Sequence, residues 1–202
     1  ALADFNQAIA LDPQLTIAYY NRGNVNYDFG NYQQAIADYD SAIFLDPEYA
    51  DAFTNRGLTY RQLGNIEQAV ADYNRAIQIN PQTYNAYVNR GALYFNLRDY
   101  VRAITDYTSA IAIDNNDPVV YYNRGLAYAL TDNYGNALAD FDQTIALGDL
   151  SGYLGRGLAH YIQTNYDLAV TDWGRYEDET GTFPTNFESF RNDALAKTGA
   201  EQ

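Results

Sequence analysis

Few residues in this 202-residue chain could carry chemistry on their own. His160 is the single histidine, and imidazole is the one side chain that titrates near neutral pH unaided. It falls in register with Tyr60, Tyr94 and Tyr128, so it reads as a packing substitution rather than a base or ligand. Ser41, Ser109, Ser151 and Ser189 are the serines, and none sits in the Gly-x-Ser-x-Gly turn that presents a nucleophile. Asp114-Asn115-Asn116-Asp117 is the most metal-like segment, yet it lacks the glycine and distal glutamate of a calcium loop and reads as a solvated connection. No phosphate-binding loop or dinucleotide fingerprint is present. Without cysteine there is no disulfide and no thiolate metal site. The expectation is a protein that is not an enzyme, with no catalytic residue, cofactor or metal.

Two polar columns recur instead. Asn21, Asn55, Asn89 and Asn123 form one, and a carboxamide that both donates and accepts suits the gripping of a peptide backbone. The next residues, Arg22, Arg56, Arg90 and Arg124, with Arg156 further on, form the other. Asp38, Asp72, Asp106, Asp140 and Asp172 recur with them, and Asp4 precedes the first arginine. That order predicts pairing across repeats: Asp4 with Arg22, Asp38 with Arg56, Asp72 with Arg90. The alternative is that the arginines bind an acidic ligand.

The columns need elements to position them. Asn-Arg-Gly recurs every 34 residues from Asn21 to Gly125, and Gly155-Arg156-Gly157 follows after 32. A fixed period of this size means one structural unit stacked on itself. Within each unit apolar residues recur at helical spacing, as in Ala35, Ile36, Tyr39, Ala42 and Ile43. Gly30 and Gly64 suit the left-handed end of a first helix. Asn31, Asn65, Asp99, Asn133 and Asn165 follow as N-caps of the second, with Gln34 and Gln68 completing capping boxes. Pro47 and Pro81 stop the second helix.

The wording resembles the tetratricopeptide repeat (TPR) family. Its pattern of aromatic, Gly, Tyr, Ala, aromatic, Ala and Pro is matched by Gly23, Ala35, Tyr39, Ala42 and Pro47 and their copies over nearly the whole chain. The resemblance implies an all-α, right-handed α-solenoid: a single domain, 1–202. It would hold a half repeat (1–15), repeats at 16–49, 50–83, 84–117, 118–149 and 150–181, and a terminal helix at 184–198. It also implies that the column Gly23, Gly57, Gly91, Gly125 and Gly157 faces Ala35, Ala69, Ala103, Ala137 and Ala169. The junction around Gly148 is two residues short and should make a tighter turn.

In this family first helices line a concave groove for an extended peptide or helix. By register the groove holds Tyr20, Asn21, Asn24, Tyr27, Thr54, Asn55, Leu58, Arg61, Val88 and Asn89. Further along it holds Phe95, Tyr122, Asn123, Leu126, Leu154, Leu158 and Tyr161. Tyr20, Thr54, Val88 and Tyr122 stand where the chaperone-tail clamp of one subclass places its first lysine, which argues against that ligand. The expected function is a protein–protein interaction scaffold for a neutral or mildly basic apolar peptide. The Asn-Arg-Gly wording is similar to TPR proteins common in cyanobacteria, some of which assist photosystem assembly.

The formal charge of −14, with eleven arginines and Lys197 alone, repels nucleic-acid phosphate and anionic lipid. No apolar run is long enough to insert in a membrane. The compartment stays open between the cytoplasm and an exported site. Ala1 rather than Met at the start fits a processed chain or part of a longer one. The ends suggest a second function, a structural subunit that stacks head to tail into a filament. Leu2, Phe5 and Ile9 belong to a second helix without its first, and Phe187 stands 34 residues after Tyr153. Phe187, Phe190 and Leu195 would then meet Leu2, Phe5 and Ile9 of the next copy, through a junction at 196–202. Arg191 stands where that register demands glycine.

Overall fold

The structure, a computed structural model, describes residues 1–199, which hold twelve α-helices and no strand. The chain separates into two compact units, residues 1–93 and residues 94 onward. The first unit contains α1 (Leu2–Leu11), α2 (Thr16–Asp28), α3 (Tyr32–Leu45), α4 (Ala50–Gln62) and α5 (Ile66–Ile79). The boundary falls inside α6 (Tyr84–Asn96). The second unit continues with α7 (Tyr100–Ile113), α8 (Pro118–Ala129), α9 (Tyr134–Ala146), α10 (Ser151–Ile162), α11 (Tyr166–Thr180) and α12 (Thr185–Thr198). The fold class is an all-α solenoid of helix-turn-helix repeats. No described helix is long and apolar enough to cross a membrane.

The pairing follows from the helical period. Ala35, Asp38, Tyr39 and Ala42 stand at i, i+3, i+4 and i+7 of α3, hence on one face, and all four are buried. The same positions are buried in α5 (Ala69, Asp72, Tyr73, Ala76) and α7 (Ala103, Asp106, Tyr107, Ala110). Each first helix ends in a left-handed residue. Gly30 and Gly64 take φ of 75° and 77°, as the sequence suggests. At the matching places Arg98, Asp132 and Thr164 take φ of 60°, 57° and 62°. The same closing hydrogen bond forms in every case, from Asn31 N to Asn26 O (2.8 Å) through Asn165 N to His160 O (2.9 Å). The turn geometry therefore persists where glycine does not, at about 1–2 kcal/mol for each side chain placed there.

Three expectations require correction. Asn31, Asn65, Asn133 and Asn165 are N-cap residues, but their side chains make no capping hydrogen bond. Backbone angle does not separate them from Asp99, since their ψ of 60–73° spans its 71°. Asp99, a carboxylate with acceptors on both branches, does accept from Arg102 N.

The glycine column does not chiefly face the alanines. A Cβ on Gly23 would lie 2.7 Å from the Tyr39 ring, one on Gly125 2.8 Å from Phe141, and one on Gly157 2.5 Å from Trp173. At Gly57 the Tyr73 ring comes first at 3.0 Å, and only then the Ala69 carbonyl at 3.2 Å. The glycine makes room for the aromatic residue sixteen positions on. At the short junction Gly148 takes φ of 88°, and two further glycines press α10 onto α9: a Cβ on Gly152 would come within 2.6 Å of Phe141 O, and Gly155 lies against the Phe141 ring.

The arginine ladder runs the other way from expectation. Arg22 pairs with Asp38 (2.6 Å), Arg56 with Asp72 (2.7 Å), Arg124 with Asp140 (2.7 Å) and Arg156 with Asp172, each inside its own repeat. Asp4 instead meets the N-terminal amine at 3.2 Å. The arginines do reach the preceding repeat, but through the residue two beyond the aspartate: Asn6 for Arg22, Asp40 for Arg56, Asn74 for Arg90, Thr108 for Arg124 and Asp142 for Arg156. Helix geometry decides this. The Asp on the buried face points at its own first helix, and the residue two further on turns to the rim.

The end of the chain folds back on its own repeat. Phe187 joins the cluster of Leu154, Ala169, Trp173 and Ala194, and the Phe190 ring meets Tyr161 at 5.4 Å. Phe5 and Ile9 are half-buried. Arg191 pairs with Glu177 (2.8 Å) and covers the Phe183 ring at 4.6 Å. The proposed junction includes Ala200, Glu201 and Gln202, which lie outside the described residues.

Candidate functional site

In the first unit α2 and α4 bring Asn24, Tyr27, Asn55 and Leu58 to one cleft of about 220 Å³, with Tyr39 of α3 at its base and Asp28 at its edge. All four first-helix residues belong to the groove expected by register. Asn24 Oδ1 accepts from Tyr39 Oη (2.8 Å) and from Asn55 Nδ2 (2.8 Å), and Asn55 Nδ2 also donates to Tyr20 Oη (3.0 Å). Burial lifts the phenols of Tyr20 and Tyr39 above their ordinary value, so both remain protonated. The network consumes Asn55's donor and Asn24's acceptor. What the pair can offer a ligand is the complement, Asn55 Oδ1 as acceptor and Asn24 Nδ2 as donor. One residue alone does not supply both ends, as the column of asparagines suggested.

The remaining groove residues divide. Tyr27 accepts from Gln62 Nε2 (3.0 Å), and Tyr20 packs on Tyr49 with centroids 4.8 Å apart. Asn21, Arg61, Val88 and Asn89 are half-buried in the first unit and Asn123 in the second. Thr54 is buried, and its hydroxyl is bonded to Ala50 O (3.0 Å), so it does not face the groove. Phe95 packs on Tyr100 at 5.4 Å and Tyr122 on Phe141 at 5.7 Å. Leu126 packs against the core of Ala137, Phe141 and Ala159. Leu154 is core, and Leu158 packs against it. Tyr161 is covered by α12: its hydroxyl donates to Asp193 (2.6 Å), and Lys197 lies 5.5 Å over its ring. The Tyr39 hydroxyl is the participant missed in the sequence. The signal was its register with Gly23, which leaves room for a ring that reaches through to the groove side.

His160 is part of the packing around the arginine ladder. Its Nε2 is 4.0 Å from Asp172 Oδ2, and its Nδ1 is buried without a hydrogen-bond partner. Burial pulls its pKa below the ordinary value, so the ring is neutral at pH 7. Among the described residues no group of three His, Cys, Asp or Glu side chains could hold a metal ion.

The fold is shared with solved structures. YrrB, described as a TPR protein with an unusual peptide-binding site, superposes with a TM-score of 0.76 at 20% identity, over 90% of this chain and 94% of that one. MamA superposes with a TM-score of 0.72 at 23% identity, over 77% and 92%. PilF of Pseudomonas aeruginosa does so with a TM-score of 0.73 at 20% identity, over 92% and 89%. No curated protein matches the chain in sequence. A "TPR repeat" family model matches residues 27–64, 57–97 and 99–132, and a "Tetratricopeptide repeat" model matches 122–182. With the Gly-aromatic register and the helix pairs in place, the chain belongs to the tetratricopeptide repeat family.

Proposed function

We propose that this protein is a non-enzymatic interaction scaffold that binds a peptide or helical segment of a protein partner along its first helices. The observation that carries the reading is the cleft between Asn24 and Asn55. It combines a donor and an acceptor, set by a buried tyrosine, with the apolar side of Leu58 and the ring of Tyr27. That is the complement of one peptide unit and one apolar side chain. YrrB supports the reading as a similar fold described with a peptide-binding site. The acidic surface favours a neutral or basic segment.

The test is to select peptides from a displayed library on the whole protein and measure their affinity for Asn55→Ala and Leu58→Ala variants. Each substitution should weaken binding by about 0.5–1.5 kcal/mol with helicity unchanged. Selected peptides that bind both variants as tightly as the parent would remove the groove from consideration.

Head-to-tail stacking is the second reading. It is favoured by the placement of α12, which packs on α10 and α11 as the first helix of a further repeat would. Arg191 opposes it, because it stands where the other first helices carry glycine, which at Gly23, Gly57, Gly125 and Gly157 admits an aromatic ring. Growth of particle size with concentration would support stacking, and a constant size would dismiss it.

A further inference from the structure

The ladder of arginines has a second feature, unrelated to the groove. In three repeats the residue four after the arginine is a tyrosine whose ring lies by a guanidinium: Tyr60 near Arg56 (5.9 Å), Tyr128 near Arg124 (5.8 Å), and Tyr94 under Arg102 (4.2 Å). In the other two repeats a smaller residue stands there, Asn26 and His160. At those two places, and in matching register, the structure has a cleft of about 340 Å³. One lies by Leu2, Asn6, Arg22, Asn26 and Asp38. The other lies by Leu138, Asp142, Arg156, His160, Leu168 and Asp172. The size falls within the roughly 300–1,000 Å³ of ligand pockets.

The geometry points to these clefts as sockets for a tyrosine side chain of a protein partner, which takes the place that the chain's own tyrosine fills in the other repeats. The socket at His160 has an apolar wall, Leu138 and Leu168, and a guanidinium held in place by Asp172 on one side and Asp142 on the other. An aromatic ring over a fixed guanidinium gains a cation–π contact without having to order the arginine first. The carboxylates at the mouth can accept from a phenol, as Asp193 does from Tyr161 and Asp132 from Tyr134. The neutral imidazole adds no charge to compete with the arginine. On α2 the socket residues Arg22 and Asn26 share one face, and the groove residues Asn24 and Tyr27 lie on the other, since residues two apart are about 200° apart around a helix. The inference therefore goes beyond the groove reading and does not depend on it.

The probe is N-acetyl-tyrosine amide, titrated into the isotope-labelled whole protein and followed by NMR. Saturable shifts are expected at Leu138, His160 and Leu168, and separately at Leu2 and Asn26. His160→Tyr should silence the first set alone and Asn26→Tyr the second alone; if one variant does not fold, the other still decides. Leu168→Arg copies the residue that covers Tyr94 and should tighten binding at the His160 socket by about threefold. No shift at either cleft, or shifts that persist in the tyrosine variants, would overturn the assignment.

Discussion

Repeat two (α4 and α5) and repeat five (α10 and α11) use one frame with residues displaced by 100 positions, and differ in what fills it. Arg56 and Asp72 are answered by Arg156 and Asp172, and the preceding-repeat partners Asp40 and Asp142 also correspond. Around that constant frame Tyr60 becomes His160, Gly64 becomes Thr164, Tyr73 becomes Trp173 and Asn55 becomes Gly155. Repeat two keeps Asn55 bonded to Asn24 and Tyr20. In repeat five Tyr161 is covered by α12, and an open cleft appears beside the arginine. The lesson is that the ion pair and the glycine–ring contact hold the helix pair, and the other positions are free to carry ends, grooves or sockets.

The largest expected effect breaks the constant part. Arg56→Ala leaves Asp72 buried without its counter-charge and should cost about 3–5 kcal/mol in a denaturant titration. Arg156→Ala should cost less, because Arg156 is the more exposed of the two arginines, 26% against 18%, and borders an open cleft. Equal losses would mean that the cleft does not distinguish the repeats.

The glycine contact reverses the order. A Cβ at Gly157 meets the Trp173 ring at 2.5 Å, whereas one at Gly57 meets Tyr73 at 3.0 Å. Gly157→Ala should therefore lower stability by about 1–3 kcal/mol and Gly57→Ala by less. Adding Trp173→Tyr should recover part of the first loss, and a double variant no more stable than Gly157→Ala alone would contradict the ring as cause.

At the turn the two repeats differ by a β-branched residue in the left-handed region. Thr164→Gly should stabilise by about 1 kcal/mol and Gly64→Thr should destabilise by a similar amount. Thermal melts of the two variants that move in the same direction would refute the strain at Thr164.

The smallest effect is in pH. The folded-state pKa of His160 is depressed, so the unfolded chain takes up the proton first. Stability from this group is complete above about pH 6.5 and is lost as pH falls from there towards the depressed value. Burial raises the carboxyls of Asp72 and Asp140, which has the opposite sign and acts from about pH 4 upward. His160→Tyr should flatten the melting temperature between pH 6.5 and 5.5. A slope unchanged by the substitution would assign the effect elsewhere.

Much of this was legible in the sequence because a repeat states its rule several times. The helix pairs and the left-handed glycines at 30 and 64 follow from spacing, and the family resemblance supplied the register that groups Asn24, Tyr27, Asn55 and Leu58. The partner of each arginine did not. Asp4 and Asp38 flank Arg22 on either side in sequence, and only the turn of the helix that presents Asp38 selects between them. The N-caps were located correctly, but which side chains reach the backbone was not legible: Asp99 does and Asn65 does not, at nearly the same ψ.

By itself the sequence determined the period and the register, since these need only helical periodicity and residue size, and its repeated motif carried the family resemblance. Tertiary structure alone decided that Asn55 spends its donor on Asn24 and Tyr20, that Tyr161 lies under α12, and that two clefts open where tyrosine is missing. Those outcomes depend on where side chains from different helices meet. A one-dimensional pattern carries the face on which a residue lies, but not the distance at which its neighbour stops.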